Sequence, residues 1–184
     1  MSNRAEIKIG GFGGQGVILS GIIIGKAASL YDEKHATLIQ AFGPEARGSA
    51  CSAQVVLSDD YIGYPYIERP NYEVVMSQEA YNKFVPEMEG EGLLMIEKDL
   101  VKPKDLPPGI KCMGIPAMRL AEELGNRIIL NIVMVGFFTA ISGLVSQRSV
   151  RKAMEASVPP GTESLNISAF ERGYGFGQAL KMME

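Results

Sequence analysis

The run Gly10-Gly11-Phe12-Gly13-Gly14-Gln15-Gly16 sets Gly11, Gly13 and Gly16 at the G-x-G-x-x-G spacing of a phosphate-holding turn. The chemistry would be anion binding without a charged side chain. Glycines let the backbone turn sharply and keep a Cβ out of the way of a phosphate. The free N–H groups of the helix that follows then point at the anion. Gly13, Gly14, Gln15 and Gly16 are the candidate anion-facing residues, and Gly11 completes the pattern. The same spacing also serves a plain strand-to-helix turn whose glycines only permit close packing. A dinucleotide site would further need Asp or Glu at the end of the next strand, to hold the ribose hydroxyls. That strand, residues 36–42, has no acid at its end, and Asp32 and Glu33 come before it. NAD and FAD are thereby disfavoured, which leaves a phosphate-like group or a structural turn.

A second candidate is the loop Gly43-Pro44-Glu45-Ala46-Arg47-Gly48-Ser49. Arg47 is the only Lys or Arg between Lys34 and Arg69. A lone guanidinium in a glycine-bounded loop suits a carboxylate or phosphate, which it can grip with two parallel hydrogen bonds. Glu45 would pair with it or orient it. The alternative is a surface Arg–Glu pair contributing ~0–1 kcal/mol. Cys51 and Cys112 are the only cysteines and His35 the only histidine. An iron–sulfur cluster needs about four thiolates, so none is expected on this chain alone, and no metal site or complete catalytic set is visible. His35, beside Lys34, reads as a solvated turn residue.

The elements that must position these residues follow from the hydrophobic pattern. Residues 6–9 are short and β-branched, a strand, and residues 17–30 are apolar enough for a buried helix. Strand, glycine turn and helix form the first unit of a nucleotide-type α/β fold. Residues 50–58 alternate with period two, which predicts one buried face and one nearer water, as in an antiparallel or edge strand. Residues 61–70, with three tyrosines and two prolines, read as irregular. A strand at 73–77 leads into a helix capped by Ser77. Further strands are expected at 92–96 and 110–114, then a helix from Pro116 to Leu124 stopped by Gly125. Asn131 opens a long apolar helix, and residues 149–157 form another. Ser168 and Glu171 have capping-box spacing for a last helix, interrupted by Gly173, Gly175 and Gly177. Those glycines follow no strand, so they read as packing positions rather than a phosphate loop. The fold class is α/β: a single three-layer Rossmann-like domain over 1–184, with a mostly parallel sheet and an antiparallel or edge strand.

At 184 residues the chain fits one domain. A net charge of −3 gives no general reason for nucleic acid or an anionic membrane, so any anion site is local. Residues 128–145 carry no charge and reach the minimum length for a bilayer span. They include Asn131, Thr139, Ser142 and two glycines, with Arg127 and Arg148 outside both ends, which favours a buried or interfacial helix over a membrane span. Two thiols with no signal peptide suit a reducing cytoplasm.

Three stretches meet one family. Gly-Gly-Phe-Gly-Gly-Gln-Gly-Val, then Ala-Phe-Gly-Pro-Glu-Ala-Arg-Gly-Ser, then Val-Val-Met-Ser-Gln-Glu-Ala-Tyr resemble the gamma subunit of 2-oxoacid:ferredoxin oxidoreductases. Asn131 and residues 166–173 are also similar to it. The Pro-Glu-Ala-Arg form together with Met-Ser-Gln-Glu-Ala-Tyr is most similar to the 2-oxoglutarate branch, beside pyruvate, branched-chain 2-oxoacid and indolepyruvate branches. Ser49 departs from the second glycine of many relatives. The resemblance implies a reaction of the whole complex: a 2-oxoacid, coenzyme A and oxidised ferredoxin give acyl-CoA, CO2 and reduced ferredoxin. It implies thiamine diphosphate, magnesium and iron–sulfur clusters held by the companion alpha, beta and ferredoxin-like delta subunits. The gamma-type chain is implied to cover the active site and help bind coenzyme A, through the glycine turn with Glu45 and Arg47. Competing readings are a free-standing dinucleotide-binding oxidoreductase and a purely structural subunit without ligand contacts.

Overall fold

Alternation along the first strand sends Ile7 and Ile9 to one side of a sheet and Glu6, Lys8 and Gly10 to the other. Everything else is layered on those two faces. The structure, a computed structural model, describes residues 4–41 and 50–183. In chain order its strands are β1 (Ala5–Phe12), β2 (His35–Ala41), β3 (Ala50–Ser58), β4 (Tyr72–Val75), β5 (Gly92–Glu97) and β6 (Ile110–Ile115). Its α-helices are α1 (Val17–Lys26), α2 (Gln78–Phe84), α3 (Ala117–Glu123), α4 (Leu130–Ser142), α5 (Gln147–Glu155) and α6 (Glu163–Lys181). A π-helical stretch, Ala27–Tyr31, prolongs α1, and a 3-10 turn, Val85–Glu87, prolongs α2.

The six strands form one sheet in the order β2-β3-β1-β4-β5-β6. β1, β4, β5 and β6 are parallel, while β3 runs antiparallel between β1 and β2. This is the mostly parallel α/β architecture read from the sequence. On one face Ile7, Ile9, Val55 and Val74 join a core with residues of α1, α4, α5 and α6. On the other, Val75, Leu94 and Ile96 pack with Ala80, Tyr81 and Phe84 of α2. The irregular segment before β4 covers the rest of that second face. Arg4 donates to the Tyr64 and Tyr66 carbonyls, and the Glu6 carboxylate accepts the N–H groups of Glu68 and Arg69.

Three local expectations are corrected. β3 is buried on both faces except at Gln54, and the sheet edge beside it is β2. On the face expected nearer water, Ser52, Val56 and Ser58 are buried too, and Ser58 Oγ accepts the Asp60 N–H at 3.1 Å. The last helix does not begin at Ser168. It starts at Glu163 and passes through Ser168, whose hydroxyl donates to the Ser164 carbonyl at 3.0 Å. A serine inside a helix can bond back one turn in this way, so capping-box spacing alone does not mark an N-terminus. The glycines do not interrupt α6. A Cβ at Gly173 would lie 1.9 Å from the Val133 oxygen, and one at Gly136 would lie 2.1 Å from the Phe170 oxygen. α4 and α6 therefore cross backbone against backbone. α4 is 13 residues long and buried along nearly its whole length. Among the described residues no helix is long and apolar enough to cross a membrane.

Candidate functional site

The glycine turn sits at the carboxyl end of β1, where open α/β sheets collect ligands. Gln15 shapes it with both ends of its amide. Its Oε1 accepts the Phe12 N–H at 2.7 Å, and its Nε2 donates to the Met76 carbonyl at 3.2 Å. Its own N–H reaches the Phe12 carbonyl at 3.1 Å. The turn is thereby tied to the ends of both β1 and β4. Gly11 is glycine because a Cβ there would lie 2.7 Å from Gln15 Oε1 and 2.9 Å from Val17 Cγ2. Gly16 caps α1 in the left-handed region, with φ 72°. A Cβ there would lie 2.3 Å from Asn131 Nδ2, which donates to the Gly16 carbonyl at 3.2 Å.

Gly13 and Gly14 differ in kind. Both are exposed, and a Cβ at either would meet nothing within 4 Å. The N-cap of α1 offers no side-chain acceptor to the first-turn N–H groups, and no acid occupies that turn. Those N–H groups have no intrahelical partner, and the helix dipole makes that end positive. The turn thus divides into a packed part, Gly11, Gln15 and Gly16, and an open part, Gly13 and Gly14, suited to an anion.

Glu45 and Arg47 lie outside the described residues. The described chain leaves at Ala41, opposite Ser52, and resumes at Ala50, opposite Phe12, at the same end of the sheet as the glycine turn. The Ala50 N–H donates to Glu79 Oε1 at 3.3 Å. Glu79 belongs to the run Met76-Ser77-Gln78-Glu79-Ala80-Tyr81, to which sequence reasoning gave no site role. Met76 anchors Gln15, Ser77 Oγ accepts the Ala80 N–H at 3.2 Å, and Phe84 covers Gly10 so closely that a Cβ there would lie 2.7 Å from its ring. Only the Ser77 cap left a local sequence signal; the other contacts join residues distant in the chain. Asn131 is the other residue of the site whose role the sequence did not reveal. It stands between the turn and a cavity of about 200 Å³ lined by Leu19, Ile128, Asn131, Leu165 and Asn166, among others, none of them charged.

The remaining candidates fall elsewhere. His35 begins β2, exposed, with Tyr61 edge-on to its ring at 6.2 Å. Cys51 and Cys112 stand on β3 and β6, with three strands between them. At about 4.8 Å per strand they are about 19 Å apart, too far to share one cluster. Burial pushes both thiols up from their ordinary pKa. Among the described residues no three of His, Cys, Asp and Glu are grouped as metal ligands would be.

With this geometry in view, the kinship of the chain is direct. A family described as pyruvate ferredoxin/flavodoxin oxidoreductase matches residues 6–176. The chain is 43% identical to the 2-oxoglutarate synthase subunit KorC of Methanocaldococcus jannaschii, over 96% of each chain. It is 46% identical to the KorC subunit of Methanothermobacter marburgensis, covering 92% of this chain and 95% of that one. In structure it resembles the keto/oxoacid ferredoxin oxidoreductase gamma subunit of Geobacter sulfurreducens, with a TM-score of 0.85 at 35% identity over 96% of this chain and 98% of the other. The glycine turn, its two braces and the six-stranded sheet are thus those of a chain that belongs to the pyruvate ferredoxin/flavodoxin oxidoreductase family, as a gamma-type subunit of a 2-oxoacid:ferredoxin oxidoreductase.

Proposed function

We propose that this subunit serves a complex that converts 2-oxoglutarate, coenzyme A and oxidised ferredoxin into the acyl-CoA, CO2 and reduced ferredoxin. In this reading the chain covers the active site and holds part of coenzyme A. The companion alpha, beta and delta-type subunits carry thiamine diphosphate, magnesium and the iron–sulfur clusters, and ferredoxin meets the complex through them. Iron–sulfur and metal groups do not fit the residues described here, because the two thiols are too far apart and no acidic or histidine cluster accompanies them. Coenzyme A does fit. Its pyrophosphate matches the open, uncapped N-terminus behind Gly13 and Gly14. Its neutral amide-containing arm matches the uncharged cavity beside Asn131. Glu45 and Arg47 are assigned to the same ligand. Arg47 precedes Ala50 by three positions, and Ala50 pairs with Phe12 at the mouth of the turn.

The observation that carries the proposal is the division of the glycine turn, since Gly13 and Gly14 have no packing reason to be glycine. Gly14 has φ 93°, so a side chain there strains the backbone, whereas Gly13 is not in the left-handed region. Gly13→Val is therefore the clean probe. In the reconstituted complex it is expected to raise KM for coenzyme A by roughly tenfold, a loss of about 1.4 kcal/mol, with Tm unchanged. Arg47→Ala is expected to act in the same direction. An unchanged KM and rate in both variants would leave these loops an interface role only.

A further inference from the structure

Glu73 lies in the middle of the sheet. In β4 it is the register partner of Lys8 on one side and of Leu94 on the other. It is fully buried, and among the described residues neither carboxyl oxygen has a hydrogen-bond partner. Lys8, the nearest cation in register, is itself buried and gives its ammonium to Glu87 on the Val85–Glu87 turn instead. That ammonium also lies 4.6 Å from the centroid of the Phe84 ring. Other charged or titratable groups on this face have partners of their own: the Tyr81 hydroxyl of α2 donates to the Lys104 carbonyl and accepts the Lys104 N–H, and Glu79 Oε1 accepts the Ala50 N–H. Glu6 is held by Arg4 and by the N–H groups of Glu68 and Arg69. Lys83 of α2 stands 5.4 Å from the Phe84 ring centroid. β5 presents Leu94 and Ile96, and Cys112 of β6 lies beyond Leu94.

An ionised carboxylate without donors is strongly disfavoured in such a place. Burial raises the Glu73 pKa to about 8, against the attraction of Lys8 and with an added push from Glu87. Glu73 is therefore protonated in most molecules near neutral pH, and the Lys8 ammonium pairs with Glu87.

We propose that Glu73, Lys8 and Glu87 form a proton-operated clamp on the Val85–Glu87 turn. With Glu73 neutral, Lys8 pairs with Glu87 and holds the turn, and the end of α2 before it, against the sheet. When Glu73 loses its proton, Lys8 turns to the buried carboxylate and the turn is released. The clamp reaches the ligand end of the sheet by two short routes. Phe84, at the end of α2, roofs Gly10, and Glu73 is three residues before Met76, which anchors Gln15. Release of the turn thus loosens the backing of the glycine turn. This inference stands whether or not coenzyme A is the ligand.

Hydrogen exchange of the 85–88 segment tests it, read in the full chain within its purified complex and corrected for intrinsic base catalysis. The Met88 N–H, bonded to the Val85 carbonyl at 3.0 Å, is the reporter. Between about pH 6 and pH 10, protection is expected to fall by roughly tenfold around the Glu73 midpoint. Glu73→Gln is expected to keep the higher protection throughout, and Lys8→Met to show the roughly tenfold lower protection throughout. A flat profile in the unaltered chain, or the same fall in Glu73→Gln, overturns the clamp. A carboxyl NMR titration of Glu73 provides a reading that needs no variant. A midpoint in the ordinary glutamate range overturns it, and a midpoint near that of the exchange transition supports it.

Discussion

Asp32, in the turn between α1 and β2, collects three hydrogen bonds. It accepts the Ser146 N–H at 2.7 Å, Ser146 Oγ at 2.8 Å and Ser149 Oγ at 2.6 Å. Burial pushes this carboxyl up, but the bonds from Ser149 and Ser146, with Lys34 nearby, outweigh it and hold its pKa below the ordinary value. A carboxylate whose folded pKa is depressed stabilises the fold above its unfolded pKa and loses that contribution as pH falls through the folded value. Asp32→Asn is therefore expected to cost about 1 kcal/mol at pH 7. The gap to the unaltered chain closes below the ordinary carboxylate pKa of 3.8. Denaturant unfolding at neutral and acid pH reads this directly. The same bonds tie the turn after α1 to the start of α5. Gln15 teaches a similar lesson at the other end of the sheet: a polar side chain beside a glycine turn can serve the turn itself.

Among the elements, the α4–α6 pair shows what glycine permits. A glycine inside a helix costs about 1 kcal/mol relative to alanine, yet α6 contains Gly173, Gly175 and Gly177. Gly173 and Gly177 are buried against α4, while Gly175 is exposed with nothing within 4 Å of a Cβ. The three positions therefore separate two effects. Gly173→Ala drives a methyl into the Val133 carbonyl and is expected to destabilise by about 2–3 kcal/mol. Gly175→Ala is expected to stabilise by about 0.5–1 kcal/mol through the unfolded chain. Thermal or denaturant unfolding distinguishes them by sign, and equal effects would remove the close crossing as the reason for Gly173.

For the whole molecule, strand order bears on which ligands the sheet is shaped to hold. In a dinucleotide-binding sheet the second strand lies beside the first and brings its acid to the ribose. Here β3 separates β2 from β1, and β2 is the edge. Among the described residues the ribose-side wall of a dinucleotide site is therefore missing, since β2 does not lie beside β1 and the sequence puts no acid at the end of that strand. In the assembled complex, NAD or FAD is expected to leave Tm unchanged. Coenzyme A at about 100 times its Kd is expected to add about 2.7 kcal/mol. A shift with NAD and none with coenzyme A would reverse the proposed ligand.

Local rules made much of this legible. The β1–turn–α1 unit, the Ser77 cap and the Pro116 to Gly125 helix each depend on a few neighbouring residues, and each stands where those residues put it. The family was carried by contiguous runs, which a linear reading sees whole. The insertion of β3 between β1 and β2 escaped it, because antiparallel pairing is settled by contacts between strands. So did the start of α6, where packing along α4 extends the helix upstream of a misleading Ser168. The division of the glycine turn into packed and open halves depends on Asn131 and Met76, far away in the chain. The Glu73–Lys8–Glu87 group depends on three elements meeting on one face of the sheet. Sequence by itself determined the kinds of element and the chemistry they could support, since propensity and spacing act over a few residues. Tertiary structure alone decided which glycines are packed and which stay open, and which buried carboxyl lacks a partner, because those depend on what is packed against each atom.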